Sequence, residues 1–150
     1  MGYLKNKRGI IMGVANDHSI AWGIAQKLSD EGAELCFTYQ GDSLLRRVKP
    51  LAESINNDFL IECDVLKKES IENTFKKIRE KWKTIDFVLH SIAFSDKEEL
   101  KGKYIKTSRE NFTQTMLISC FSFTEIANEA HKIMPSGGAM LTLTYDGSQK

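Results

Sequence analysis

The feature that most constrains this chain is a repeated alternation: short apolar runs of five or six residues, each followed by ten or more residues with apolar positions at helical spacing. Gly9-Ile10-Ile11-Met12-Gly13 precedes Ile20, Ile24 and Leu28, with Gly32 as the helix stop. Glu34-Leu35-Cys36-Phe37-Thr38-Tyr39 precedes a helix expected from about Asp42 to Asn56, capped by Asp42 or Ser43, with Leu45, Val48, Ala52 and Ile55 on one face. Phe59 to Cys63 forms a third run, and Ser70 is expected to cap a helix carrying Ile71, Phe75, Ile78 and Trp82. Ile85 to His90 is the fourth. A polar connection from Ser95 to Thr107 leads to a long helix from Ser108 to about Met134, and Ala139 to Thr144 closes the series. Strands in this rhythm form βαβ units, and right-handed crossovers gather such units into a doubly wound α/β parallel sheet of Rossmann type with helices on both faces. With no linker, repeat or low-complexity break, residues 1–150 read as one domain or part of one.

Composition narrows the function. The chain is 41% hydrophobic and 27% charged, with a formal net charge of +1 and scattered basic residues, so the basic patch of a nucleic-acid or membrane-surface binder is missing. The apolar run after Met1-Gly2-Tyr3-Leu4-Lys5-Asn6-Lys7-Arg8 is too short for a signal peptide or a membrane span, and a cytoplasmic chain is expected. A myristoylation signal would need Ser or Thr where Asn6 stands. Cys36, Cys63 and Cys120 lie far apart in apolar stretches and are expected to be buried reduced thiols. His18, His90 and His131 are scattered, and no metal site is expected.

In a doubly wound sheet, ligands bind beyond the carboxyl ends of the strands where strand order reverses. After the first strand comes Gly13-Val14-Ala15-Asn16-Asp17-His18-Ser19-Ile20-Ala21-Trp22-Gly23. It lacks G-x-G-x-x-G spacing, yet it offers small residues, free amides at a helix N-terminus and the Ser19 hydroxyl, which suits either a pyrophosphate or a structural turn. Gln40 ends the second strand, where an amide can bond an adenosine ribose; Arg46 and Arg47 could reach a 2′-phosphate or could form a solvated face. Asp64-Val65 could pair an adenine or cap a turn. Ser91-Ile92-Ala93-Phe94 could pass beneath a nicotinamide or end a buried strand.

Taken in order, these segments resemble a known family. Gly13-x-Ala15 with Ser19-Ile20-Ala21-x-Gly23, Gly32-Ala33-Glu34-Leu35, Phe37-Thr38-Tyr39-Gln40, Cys63-Asp64-Val65, His90-Ser91-Ile92-Ala93-Phe94 and Leu141-Thr142-Leu143-Thr144-Tyr145 look like bacterial enoyl-acyl carrier protein reductases. These are NADH-dependent members of the short-chain dehydrogenase/reductase superfamily. Ordinary members carry Asn-Ala-Gly where this chain has Ser91-Ile92-Ala93, and they have a Gly-x-x-x-Gly-x-Gly first loop.

The resemblance implies that Gly13, Ala15, Ser19 and Ile20 hold the pyrophosphate and Gln40 the adenosine end. It assigns Asp64 and Val65 to the adenine, and Ser91, Ile92 and Ala93 to the nicotinamide side. Ser95 stands at a substrate-contact position where Ala is usual, and Tyr145 is the aromatic residue beside the catalytic centre. The implied reaction passes a hydride to the β-carbon of a trans-2-enoyl thioester carried by acyl carrier protein; the enolate oxygen then needs a preorganised donor, worth on the order of 3 kcal/mol. The family's donor Tyr, and a Lys seven positions after it, are expected about ten and seventeen residues beyond Tyr145, past Lys150, together with further sheet strands and most of a homotetramer interface. These 150 residues alone are therefore expected to shape a cofactor site without completing the reaction. Another NAD(P)-dependent reductase of the superfamily, or an inactive nucleotide-binding fragment, are the rival readings.

Overall fold

The computed structural model describes residues 2–146. Five strands form one parallel sheet: β1 (Arg8–Met12), β2 (Glu34–Tyr39), β3 (Leu60–Glu62), β4 (Phe87–His90) and β5 (Ala139–Thr142), ordered β3-β2-β1-β4-β5. Between them run α1 (Ile20–Asp30), α2 (Gly41–Ser54), α3 (Lys68–Trp82), α4 (Arg109–Met116) and α5 (Ser122–Ala130). This is the doubly wound α/β architecture that the alternation predicts.

Pleating divides the core into two layers, because successive strand residues point to opposite faces. Ile10 and Met12, Cys36, and Val88 face Ile71, Phe75, Ile78 and Trp82 of α3 and Ile126 and Ala130 of α5. Ile11, Leu35, Phe37 and Leu89 face Ala21, Trp22 and Ala25 of α1 and Val48 and Ala52 of α2. At the amino ends of the strands, Asp86 accepts from Lys7 Nζ (2.7 Å) and the Arg8 amide (2.9 Å), while Arg8 reaches Glu34 (3.2 Å) and the Trp82 carbonyl (3.2 Å). Burial pushes the Asp86 carboxyl up, but the Lys7 and Arg8 bonds and charges outweigh it and leave it below the usual carboxylate range.

Several local expectations shift. α2 begins at Gly41 with Gln40 as its cap residue, because Gly41 turns through a positive φ of 70° and the chain enters the helix directly from β2; Asp42 falls in the first turn. α3 begins at Lys68, and Ser70 is spent elsewhere, its Oγ accepting the Asp64 amide at 2.9 Å. Ser108 does cap α4, accepting the Asn111 amide at 3.1 Å. The long helix expected after it is interrupted by a π-helical turn, Leu117–Phe121, and ends in a 3₁₀ turn, His131–Ile133. Cys36 and Cys63 are buried as expected, but Cys120, in the π-turn, is exposed because that turn carries it outward. Among the described residues β5 is an edge strand, with Leu141 and, just beyond its end, Leu143 exposed. No helix among the described residues is long and apolar enough to cross a membrane.

Candidate functional site

Chain direction across the sheet reverses between β1 and β4, which are neighbours in space but far apart in sequence. The loops leaving them diverge, and a cleft of about 240 Å³ opens at the carboxyl ends of β1 to β4. It gathers Gly13 and Ala15 from the first loop, Gln40 from the second, Asp64 and Val65 from the third, and Ser91, Ile92 and Ala93 from the fourth. All of these stand at or just beyond strand ends, where the sequence pattern expects a ligand. Thr38, Tyr39 and Cys63, at or just beyond the ends of the second and third strands, and Phe94 complete its walls with Val14, Leu44 and Ile118. Leu44 and Ile118 come from helices and carry no local motif.

At the β1 end, Gly13 has φ +98°, and a Cβ there would collide with the Ser91 carbonyl. The two loops can meet only because residue 13 has no side chain. Beyond it, the Ser19 hydroxyl accepts the amides of Ala15 (3.0 Å) and Asn16 (3.1 Å), and His18 N bonds Asn16 Oδ1 at 2.9 Å. Those loop amides are therefore engaged within the loop, because Ser19 folds it back on itself, whereas free amides do stand at the helix N-terminus, where they are expected. The free donors are the amides of Ile20 and Ala21 in the first turn of the eleven-residue α1, which have no partner among the described residues. Ser19 and Ile20 do not line the cleft, and the Ile20 side chain is exposed.

On the β2–β3 side, Asp64 serves its own turn: Oδ1 accepts the Leu66 amide at 3.1 Å, and Oδ2 lies 3.4 Å from Lys67 Nζ. Tyr39, on this wall, has a hydroxyl whose pKa is raised by burial and by the Glu62 and Asp42 carboxylates.

The β4 side is the most tightly built. Ser119 Oγ accepts the Phe94 amide at 3.0 Å and donates to the Phe94 carbonyl at 3.2 Å, fixing the strand exit to the π-turn. His90, fully buried, lies 2.8 Å from Ser122 Oγ through Nε2 and 3.0 Å from Thr142 Oγ1 through Nδ1. The Ser122 hydroxyl donates to the Ile118 carbonyl (2.7 Å), so it can only accept from His90. His90 is thus assigned its proton on Nε2, with Nδ1 accepting from Thr142. Burial lowers its pKa.

Ser95 stands outside the cleft, in an adjacent hollow with Glu99, Leu100, Tyr104 and Asn111, where Asn111 Nδ2 donates to its Oγ at 3.2 Å. Tyr145 follows β5 and is 89% exposed, away from the cleft lining. Among the described residues no group of His, Cys, Asp and Glu could hold a metal ion.

Comparison with known proteins places this architecture. The family model for enoyl-(acyl carrier protein) reductase matches residues 13–150. An NADH-dependent enoyl-acyl carrier protein reductase of Rhizobium meliloti is 59% identical over 149 residues, covering 99% of this chain and 56% of that protein. The FabI enzyme of Rickettsia bellii is 54% identical over the same length. The crystal structure of FabI from Candidatus Liberibacter asiaticus superposes with a TM-score of 0.97 at 60% identity, covering all of this chain and 58% of that one. The Anaplasma phagocytophilum enzyme, solved with NAD, superposes at 0.95 with 49% identity. This chain spans a little over half the length of these relatives. The chain belongs to the enoyl-(acyl carrier protein) reductase family.

Proposed function

We propose that residues 1–150 are the NAD-binding part of a reductase that uses NADH to reduce the trans-2 double bond of enoyl thioesters carried by acyl carrier protein. The observation that carries this reading is the cleft at the β1/β4 reversal, where eight residues from four separate loops converge. Gly13 supplies the close backbone approach that a dinucleotide needs, and the unpartnered Ile20 and Ala21 amides at the α1 N-terminus suit a pyrophosphate. Ala15 and Ser19 shape that loop. Gln40 faces the adenosine ribose, Asp64 and Val65 the adenine, and Ser91, Ile92 and Ala93 the nicotinamide side.

When bound, NADH supplies the hydride; the protein orients and polarises. Apolar walls from Val14, Ile92, Phe94 and Ile118 exclude water, which strengthens every polar contact inside. Ser95, in its adjacent hollow, is read as a contact for the acyl substrate, and Tyr145 as the aromatic residue beside the reacting carbons. We read the donor Tyr and its Lys as lying in the part of the relatives' length that these 150 residues do not span. We read the whole enzyme as cytoplasmic, acting in fatty-acid elongation and assembling as a homotetramer. Exposed Phe112, Met116, Leu117 and Phe121 along α4 and the π-turn support assembly.

Two measurements test the reading. The intact protein should bind NADH, seen as a change in nicotinamide fluorescence, and should consume it with a crotonyl thioester. Absence of NADH binding overturns the cofactor assignment, and turnover of a ketoacyl in place of an enoyl substrate overturns the reaction. Residues 1–150 alone should give no turnover.

A further inference from the structure

We propose that His90 is a positioning residue for the cleft: through Ser122 it holds the π-turn Leu117–Phe121 in register, and that register sets Ile118 into the cleft wall and Ser119 onto Phe94. The inference rests on the cofactor reading above.

A π-turn inserts one residue into a helix, rotating the faces before and after it by about 100° relative to each other. Here α5 is fixed by its buried face, Ser122, Ile126 and Ala130. The extra residue therefore decides which side chains of the preceding turn point at β4. In this register Ile118 is buried against the cleft and Ser119 bonds both backbone polar groups of Phe94. In a regular α-helix with α5 held in place, neither residue keeps that direction.

Nothing in the sequence of the turn, Leu117-Ile118-Ser119-Cys120-Phe121, enforces the insertion, since it contains neither Pro nor Gly. What holds it is polar. The Ser122 amide reaches back to the Leu117 carbonyl, the five-residue step of a π-turn. The Ile118 carbonyl is taken by the Ser122 hydroxyl at 2.7 Å. That hydroxyl needs a donor to complete it, and His90 Nε2 supplies one at 2.8 Å, itself fixed by Thr142 at 3.0 Å. A chain of donors thus runs from β5 through the last residue of β4 to the carbonyl of a cleft-lining residue. His90 and Ser122 are buried, where leaving a member unpaired is costly, while Thr142 stands on the exposed side of the edge strand.

The test compares NADH affinity and denaturant midpoint for His90→Phe, His90→Gln and Ile118→Ala, singly and in combination, in the intact protein. His90→Phe should weaken NADH binding about tenfold. His90→Gln, whose amide can still donate to Ser122, should restore most of it. Ile118→Ala should weaken binding in the wild-type background and have little further effect beside His90→Phe, since Ile118 is then already displaced. Equal NADH affinity in His90→Phe, no recovery in His90→Gln, or fully additive losses with Ile118→Ala would overturn the inference. If His90→Phe does not fold, Ser122→Ala replaces it in the same cycle with the same expectation. Failure of the wild type itself to bind NADH counts against the cofactor reading; the register is then judged by amide exchange at Ser122, which must accelerate in His90→Phe and recover in His90→Gln.

Discussion

Gly13 and Ser91 touch backbone to backbone: a Cβ on residue 13 would overlap the Ser91 carbonyl, and φ at Gly13 is +98°. This contact joins the first and fourth loops at the floor of the cleft. Gly13→Ala meets both a strained dihedral and a carbonyl that is part of the β4 exit. It should cost at least about 2 kcal/mol by chemical denaturation, and NADH binding should fall in whatever fraction stays folded. An Ala variant with wild-type stability and affinity would show that the two loops separate at no cost.

The strand-helix rhythm makes the sheet legible from the residues alone. Alternation fixes which elements are strands, and handedness leaves few ways to order them. Boundaries are less legible because tertiary hydrogen bonds decide them: Ser70 looks like a cap but is claimed by the Asp64 amide. The π-turn is invisible because its cause lies in His90 and Ser122, 32 residues apart. The same division holds in the cleft. Gly13, Gln40, Asp64 and Ser91 sit at strand ends and can be read off the sequence, whereas Leu44 and Ile118 enter from helices that only the packed fold brings near.

The cysteines separate by environment. Burial pushes the Cys36 and Cys63 thiols up, so neither forms a thiolate readily. Cys120 is exposed on the π-turn. Of the three, only Cys120 should be open to a thiol reagent in the folded protomer, with assembly over the π-turn slowing its labelling, and denaturation should release the other two; mass spectrometry of labelled peptides reads the result. Labelling of Cys36 at the native rate of Cys120 would contradict the packing of β2.

Ser108 is the one helix cap made by a side chain among α1 to α5 as described, and its hydroxyl also donates to Glu99 at 2.6 Å. Ser108→Ala should cost about 1 kcal/mol and loosen the Ser95–Thr107 connection, seen as faster amide exchange there. Ser108→Asp keeps an acceptor for the Asn111 amide but faces the Glu99 carboxylate, so it should recover less than a cap substitution ordinarily does.

His90 makes stability depend on pH in a direction that follows from burial. Its folded-state pKa lies below the ordinary 6.5, so well above that value both folded and unfolded chains hold it neutral and it contributes no pH dependence. As pH falls through 6.5 the unfolded chain takes up a proton before the folded one does, and folding stability declines until the lower, folded-state pKa is passed. Protonation also forces Nδ1 to donate, which obliges the Thr142 hydroxyl to turn away and give up its own donation to the ring. Denaturant midpoints measured from neutral pH downward should therefore fall more steeply for wild type than for His90→Gln, whose amide does not titrate. Parallel slopes for the two proteins would mean that His90 takes up its proton equally in the folded and unfolded chains, and would contradict its buried neutral form.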